Sequence, residues 1–182
     1  MRRWGITANS KDMKKLLYVI AAAFCFVACE KNAEISSPTE DGYVDLGLPS
    51  GTMWKNVNEF NPQDISGLGL YTFQEAYYAF GSSLPTKAQC EELINKCTWE
   101  WTGKGCKVIG SNGNFITFSA DGYRGANSDG AMYNTLYGYY WTTTPSSSAE
   151  NYWNLHFGAG GVKMHSDGYR KTAFSVRLVK NS

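Results

Sequence analysis

The chain has 182 residues with 17 Lys+Arg, 16 Asp+Glu and 2 His, a formal net charge of +1. Residues 1–28 hold five of those cations (Arg2, Arg3, Lys11, Lys14, Lys15) and one acid (Asp12), which leaves 12 against 15, or about −3, for the rest. A mildly acidic remainder of roughly 150 residues is one domain's worth. It lacks the basic stripe a nucleic-acid partner would call for, and none is expected.

Lys14 and Lys15, then apolar Leu16 to Val27, then Ala28-Cys29, have the three-part layout of an export signal. The apolar run is shorter than the ~20 residues that span a bilayer. Ala28-Cys29 resembles the bacterial lipobox, in which the cysteine thiol is acylated before cleavage; Phe26 stands where that motif usually has Leu. The resemblance implies a signal over 1–28, Cys29 as the lipid-bearing first residue, and anchorage to the outer membrane through that lipid. An ordinary cleaved signal with an incidental cysteine is the alternative. Met1 to Asp12 adds nothing a signal needs, so Met13 is a second candidate start. Residues 29–41 are polar and read as a tether, and 42–180 as a single domain.

Tyr43 to Leu48 and Thr52 to Val57 flank Pro49-Ser50-Gly51, the pattern of two strands around a turn. Asn58 to Leu70 is expected to be loop. Thr72-Phe73-Gln74-Glu75 is a capping box that starts a helix running to Gly81. Thr86-Lys87-Ala88-Gln89 repeats the device, and Cys90, Leu93, Ile94 and Cys97 follow at i, i+3, i+4 and i+7 as one apolar stripe. The period then becomes two. Trp99 to Thr102 and Gly105 to Val108 predict a hairpin that sets Glu100 opposite Lys107, with Trp99 and Trp101 opposite Val108 and Cys106. A second hairpin turns at Asn112-Gly113 into Phe115 to Phe118. Ala120 to Gly138 reads as loop, Tyr139 to Thr143 and Tyr152 to Phe157 as strands, Gly158 to Gly161 as a turn into Val162 to His165, and Phe174 to Val179 as the last strand. Two helices in the first half followed by short strands and long loops predict an α+β fold with mostly antiparallel sheet.

Four segments in this order, YVDLGLPSGTMW (43–54), LPTKAQCEEL (84–93), YWTT (140–143) and FSVRLV (174–179), resemble the Fibrobacter major paralogous domain family of bacterial lipoproteins. That family is similar to the formylglycine-generating-enzyme version of the C-type lectin fold. The resemblance implies that the ends of the domain meet in a sheet and that long loops carry any binding site. Tyr139 to Val179 also looks like the variable region of retroelement-diversified proteins, which display binding residues on the same fold.

An enzyme reading finds little to build on. The oxidase chemistry of the resembled enzymes uses two cysteines near the chain's end, and no Cys follows Cys106. Calcium-dependent lectins use a Glu-Pro-Asn or Gln-Pro-Asp loop and a Trp-Asn-Asp strand; here Trp153-Asn154 precedes Leu155 and neither loop exists. His156 and His165 beside Lys163 make a poor zinc set. No catalytic group, metal or cofactor is expected. The abundance of Tyr (12), Trp (6) and Gly (19) instead suits a recognition surface, or equally a turn-rich β core.

The candidate ligand-binding residues are Tyr123, Tyr152, Asn154, His156, Lys163, His165, Tyr169 and Arg170. Strand alternation puts Tyr152, Asn154, His156, Lys163 and His165 on a polar, solvent-facing side, with Trp153, Leu155, Phe157, Val162 and Met164 inward. With Tyr169 they are expected to share one accessible region away from the helices. Tyr123 and Tyr169 lie in two copies of Asp-Gly-Tyr-Arg (121–124 and 167–170), which read as a shared turn type or as two presented rings. The ligand would be a glycan, a peptide or another surface protein; an assembly subunit of a surface complex such as a fimbria is the second reading. Among the thiols, Cys90 and Cys97 lie about 10 Å apart along one helix, and Cys97 and Cys106 about 13 Å apart, both beyond disulfide reach. Cys90–Cys106 remains as a candidate bridge, against three buried free thiols.

Overall fold

The computed structural model describes residues 39–127 and 129–181. The signal, Cys29 and most of the tether lie outside the described residues. No helix among those described is long and apolar enough to cross a membrane.

Both capping boxes form. Thr72 accepts from the Glu75 N–H while the Glu75 carboxylate accepts from the Thr72 N–H, which starts α1 (Phe73–Phe80). Gly81, at φ 50°, ends it in a conformation that a side chain would resist. Thr86 and Gln89 do the same for α2 (Lys87–Lys96), which buries Cys90 and Leu93. Cys97 is the extended cap of α2 rather than a further turn of it.

The strands are β1 (Tyr43–Asp45), β2 (Thr52–Lys55), β3 (Tyr71–Thr72), β4 (Thr98–Trp101), β5 (Gly105–Ile109), β6 (Phe115–Ser119), β7 (Tyr123–Arg124), β8 (Met132–Tyr133), β9 (Gly138–Pro145), β10 (Asn151–Gly158), β11 (Gly161–Tyr169), β12 (Ala173–Phe174) and β13 (Val179–Asn181). They form four sheets, ordered β1-β2-β13, β11-β10-β9, β3-β12-β7-β8 and β4-β5-β6, with every named pair antiparallel. The architecture is α+β. The first and last strands both pair with β2, Val44 and Val179 flanking Trp54. The β4–β5 hairpin has the expected register, with Glu100 opposite Lys107 and Trp99 opposite Val108.

The β9–β10–β11 sheet is covered on both faces. On one side Tyr140, Leu155 and Phe157 pack with Trp54, Leu93, Val108 and Phe118; on the other Trp141 packs with Tyr71, Phe73, Phe174 and Val176. Burying such rings contributes about 1.5–3 kcal/mol each. Trp141 keeps its polar atom satisfied by donating to the Tyr71 carbonyl at 2.7 Å. The buried Arg177 guanidinium joins three segments: it donates to the carbonyls of Lys55 (2.8 Å) and Thr117 (2.7 Å) and to Asn58 Oδ1 (2.6 and 3.0 Å). Asn58 in turn donates to Ser119 and to the Tyr140 hydroxyl, both at 3.0 Å.

Four expectations are corrected. The segment from Ala120 to Gly138 contains the paired strands β7 and β8. The two Asp-Gly-Tyr-Arg copies do not share a turn: Gly122 has φ 72°, whereas Gly168 lies inside β11. The Cys90–Cys106 bridge is absent, and Cys90, Cys97 and Cys106 are free thiols. They pack as small apolar groups, and burial pushes Cys97 and Cys106 up to about 11 and Cys90 higher still.

The fourth correction concerns register. From the Gly158–Gly161 turn, Phe157 faces Val162 and Asn154 faces His165; continued without a break, this pairing would set Tyr152 opposite Asp167. A bulge inserts one extra residue into β11, so Gly168 stands opposite Tyr152 and Tyr169 opposite Asn151. A one-residue slip moves every later side chain to the other face, and Tyr169 leaves the face that Tyr152 occupies.

Candidate ligand-binding site

A cleft with an aromatic lining lies at the start of α1. It is placed there by backbone: the Phe73 N–H donates to the Arg170 carbonyl (3.2 Å), and the Arg170 N–H to the Glu150 carbonyl (3.0 Å). The turn after β11 is closed by Thr172, whose N–H and hydroxyl both donate to the Tyr169 carbonyl. These bonds hold Arg170 and Lys171 beside the first turn of the helix.

The cleft has a volume of about 440 Å³, within the range of small-molecule sites. Phe73, Tyr77, Tyr78 and Tyr152 supply its rings, Thr72 and Gln74 its neutral polar groups, and Arg170 and Lys171 its charges. The rings are ordered. Phe73 stacks on Tyr152 (centroids 3.4 Å, planes 17° apart) and on Tyr77 (5.8 Å, 22°), with Trp141 edge-on beneath. Tyr78 is 80% exposed and Tyr77 52%. Tyr77 and Tyr152, each stacked on Phe73, can bind flat apolar surfaces while losing little side-chain freedom. Arg170 pairs through Nε with Glu150 at 2.7 Å, a half-exposed pair that leaves the other guanidinium donors for a ligand.

A second cluster lies further along the sheet. His156 stacks on Tyr137 (5.3 Å, 12°) and packs against Tyr139 (4.6 Å) and His165 (4.5 Å). Burial, with His165 and Lys163 nearby, lowers His156 to about 4, so it is neutral at pH 7. Its Nδ1 is buried without a hydrogen-bond partner. His165 Nδ1 stands 3.7 Å from Asp167. No group of three or more His, Cys, Asp or Glu among the described residues is placed to hold a metal.

The eight candidates therefore separate. Tyr152 and Arg170 line the helix cleft, against the expectation of a region away from the helices. His156 and Lys163 line a smaller cavity of about 250 Å³ with Tyr137 and the hairpin glycines, and His165 packs beside them. Asn154 is 0% exposed, which overturns its placement on a solvent face. It lies among Trp141, Gly168 and the Tyr152 carbonyl and donates to the His165 carbonyl and to Asp167, each at 3.2 Å. Tyr123 is half-buried between Tyr133, Tyr139 and Phe174, and its neighbour Arg124 pairs with the fully buried carboxylate of Asp64 at 2.8 Å. Tyr169 faces away from Tyr152.

Five of the eight cleft residues, Thr72 to Gln74 with Tyr77 and Tyr78, come from the first half of the domain. One signal for them was present in the sequence. A helix of one buried stripe has little use for consecutive tyrosines, and Tyr77-Tyr78 put at least one ring outside.

A family model described as Domain of unknown function (DUF8237) matches residues 86–179. The chain belongs to that family. The DUF8237 segment begins at the cap of α2 and reaches the first residue of β13. It thus contains Tyr152, Arg170 and Lys171 and leaves the α1 wall of the cleft outside the matched span. No curated protein and no solved structure matches the chain.

Proposed function

We propose that this is a non-catalytic binding protein, exported, held at the outer membrane by an acyl group on Cys29, and recognising a glycan in the cleft between α1 and the turn after β11. The observation that carries the reading is the ordered tyrosine ledge with two cations and two neutral polar groups along it. Ring faces bind the C–H faces of sugars, and the surrounding donors fix their hydroxyls. Membership in the C-type-lectin-like folds, and kinship with the Fibrobacter major paralogous domain family, are supported by the four ordered segments and by the pairing of the first and last strands on β2. Probing a glycan and protein array with the full chain in detergent tests the function. Binding should fall at least tenfold with Tyr78→Ala or Tyr152→Ala; binding unaffected by both moves the site elsewhere.

A second reading, an assembly subunit of a surface complex, is favoured by a different surface. Val57, Phe60, Ile65 and Leu68 between β2 and β3, and Tyr133, Leu136 and Tyr137 in and after β8, are exposed, and Asp64 pairs with Arg124 of β7, the strand that pairs with β8. Exposed apolar groups gathered in this way mark protein contacts. Pull-down of one defined partner that is lost with Phe60→Ser and Leu136→Ser would support it.

A further inference from the structure

The cleft carries charge of one sign. Its lining includes Arg170 and Lys171 and no carboxylate, although the chain from residue 29 onward is acidic by about three charges. Four other cations are held in ion pairs: Lys55 with Glu59, Lys87 with Glu91, Arg124 with Asp64 and Lys180 with Asp41. Among the described residues no ion pair includes Lys171. Two acids bond to residues of the lining and are thereby engaged, Glu75 to Thr72 in the capping box of α1 and Glu150 to Arg170. That last pair is exposed on both sides, and such pairs contribute little, so an incoming carboxylate can share or displace it.

We infer that the ligand is an acidic oligosaccharide, one whose sugars carry carboxylates, with a ring face on Tyr77 or Tyr78 and a carboxylate between Arg170 and Lys171. This rests on the glycan-binding reading above. The chemistry matches part by part. A uronic or sialic residue has an apolar C–H face, a hydroxyl edge and one carboxylate; the cleft offers tyrosine faces, the Gln74 amide and two cations. A guanidinium binds a carboxylate through two parallel hydrogen bonds, and Arg170 has donors left for this after its Nε contact with Glu150. An acidic peptide would satisfy the cations but would leave the tyrosine faces without a flat partner.

The test uses the full chain in detergent micelles and calorimetric titration with trisaccharides of galacturonate, glucuronate and N-acetylneuraminate, each beside a neutral counterpart. A hexaglutamate peptide serves as the non-sugar acid. At least one acidic sugar should bind tenfold or more tighter than its neutral counterpart, with affinity falling as salt rises. The double variant Arg170→Gln/Lys171→Gln should erase the preference and keep residual sugar binding, while Tyr78→Ala should weaken both sugars. Neutral and acidic sugars binding equally would overturn the acidic-ligand inference and leave the glycan reading standing. Binding of the peptide alone would overturn the sugar assignment while keeping the cleft. Failure of every probe would overturn this inference together with the reading it rests on.

Discussion

Arg177→Met removes the donors to three part-buried oxygens and keeps most of the side-chain volume. In the native protein the guanidinium serves the Lys55 and Thr117 carbonyls and Asn58 Oδ1 and lies 4.5 Å over the Phe118 ring. Leaving a fully buried acceptor unpaired costs about 1–3 kcal/mol, so these three part-buried ones, with the charge-assisted bonds they lose, set a gross loss of at most roughly 3–9 kcal/mol. Against this stands the cost of burying the ion, which the methionine avoids and which amounts to several kcal/mol. Burial already holds the Arg177 pKa below its ordinary value, the same cost seen in another quantity. The expected net is a destabilisation of about 3–5 kcal/mol, a large share of the 5–15 kcal/mol typical of a domain. Urea unfolding of the full chain in detergent, followed by tryptophan fluorescence, reads it as a fall of roughly 2 M in the midpoint at unchanged slope. Arg177→Lys should fall between, since one ammonium cannot span three segments. A loss below about 1 kcal/mol for the methionine variant would refute the view that this guanidinium ties β2, β6 and the Asn58 loop together.

Further outcomes are expected. Cys29→Ser should move the protein from the detergent to the aqueous phase in phase partitioning; retention in detergent would show that the anchor is elsewhere. His156 has a folded value of about 4 against an unfolded 6.5, so protonation favours the unfolded chain; the contribution is full above pH 6.5 and is lost as pH falls through 4. Half-buried as the ring is, the loss over that window should be about 1–2 kcal/mol, seen as a flatter pH–stability curve for His156→Gln than for wild type. The three thiols should resist alkylation in the folded protein and all react in denaturant, with no disulfide-linked peptide in non-reducing maps. Gly138→Ala should cost about 1–3 kcal/mol in chemical unfolding, because its Cβ would stand 2.0 Å from Phe157 Cζ.

What the sequence made legible was what short stretches decide. Thr72/Glu75 and Thr86/Gln89 state both helix starts within four residues each, and the charge pair Glu100–Lys107 fixes a hairpin register across a two-residue turn. Alternation also identified which side of β10 faces the first core cluster. It failed for the other side because a polar residue on a strand reads as exposed unless something covers it. What covers Asn154 is Trp141, from β9, with the glycine at position 168 letting the two approach. The bulge in β11 has no marker of its own beyond that glycine. The cleft was illegible for a related reason: its two walls lie some 75–100 residues apart in the chain and meet through the β3–β12 pairing, the Phe73–Arg170 backbone bond and the Phe73–Tyr152 stack. Arg177 did leave a trace, as the one charge between Val176 and Leu178 in an apolar run.

The pairing of β1 and β13 on either side of β2 has a consequence for how the domain can be rewired. Lys180 reaches Asp41 at 2.6 Å, so the two ends of the folded unit are neighbours. A linker of about five residues, spanning up to roughly 17 Å, would join residue 181 to residue 42 without pulling either strand from β2. New termini opened between Ala159 and Gly160, in the exposed tip of the β10–β11 hairpin, would give a circular permutant with the same four sheets and an intact α1 cleft. Because entry and exit lie side by side, the unit can also be inserted whole into a loop of another protein, hanging from it as a side branch instead of lengthening it.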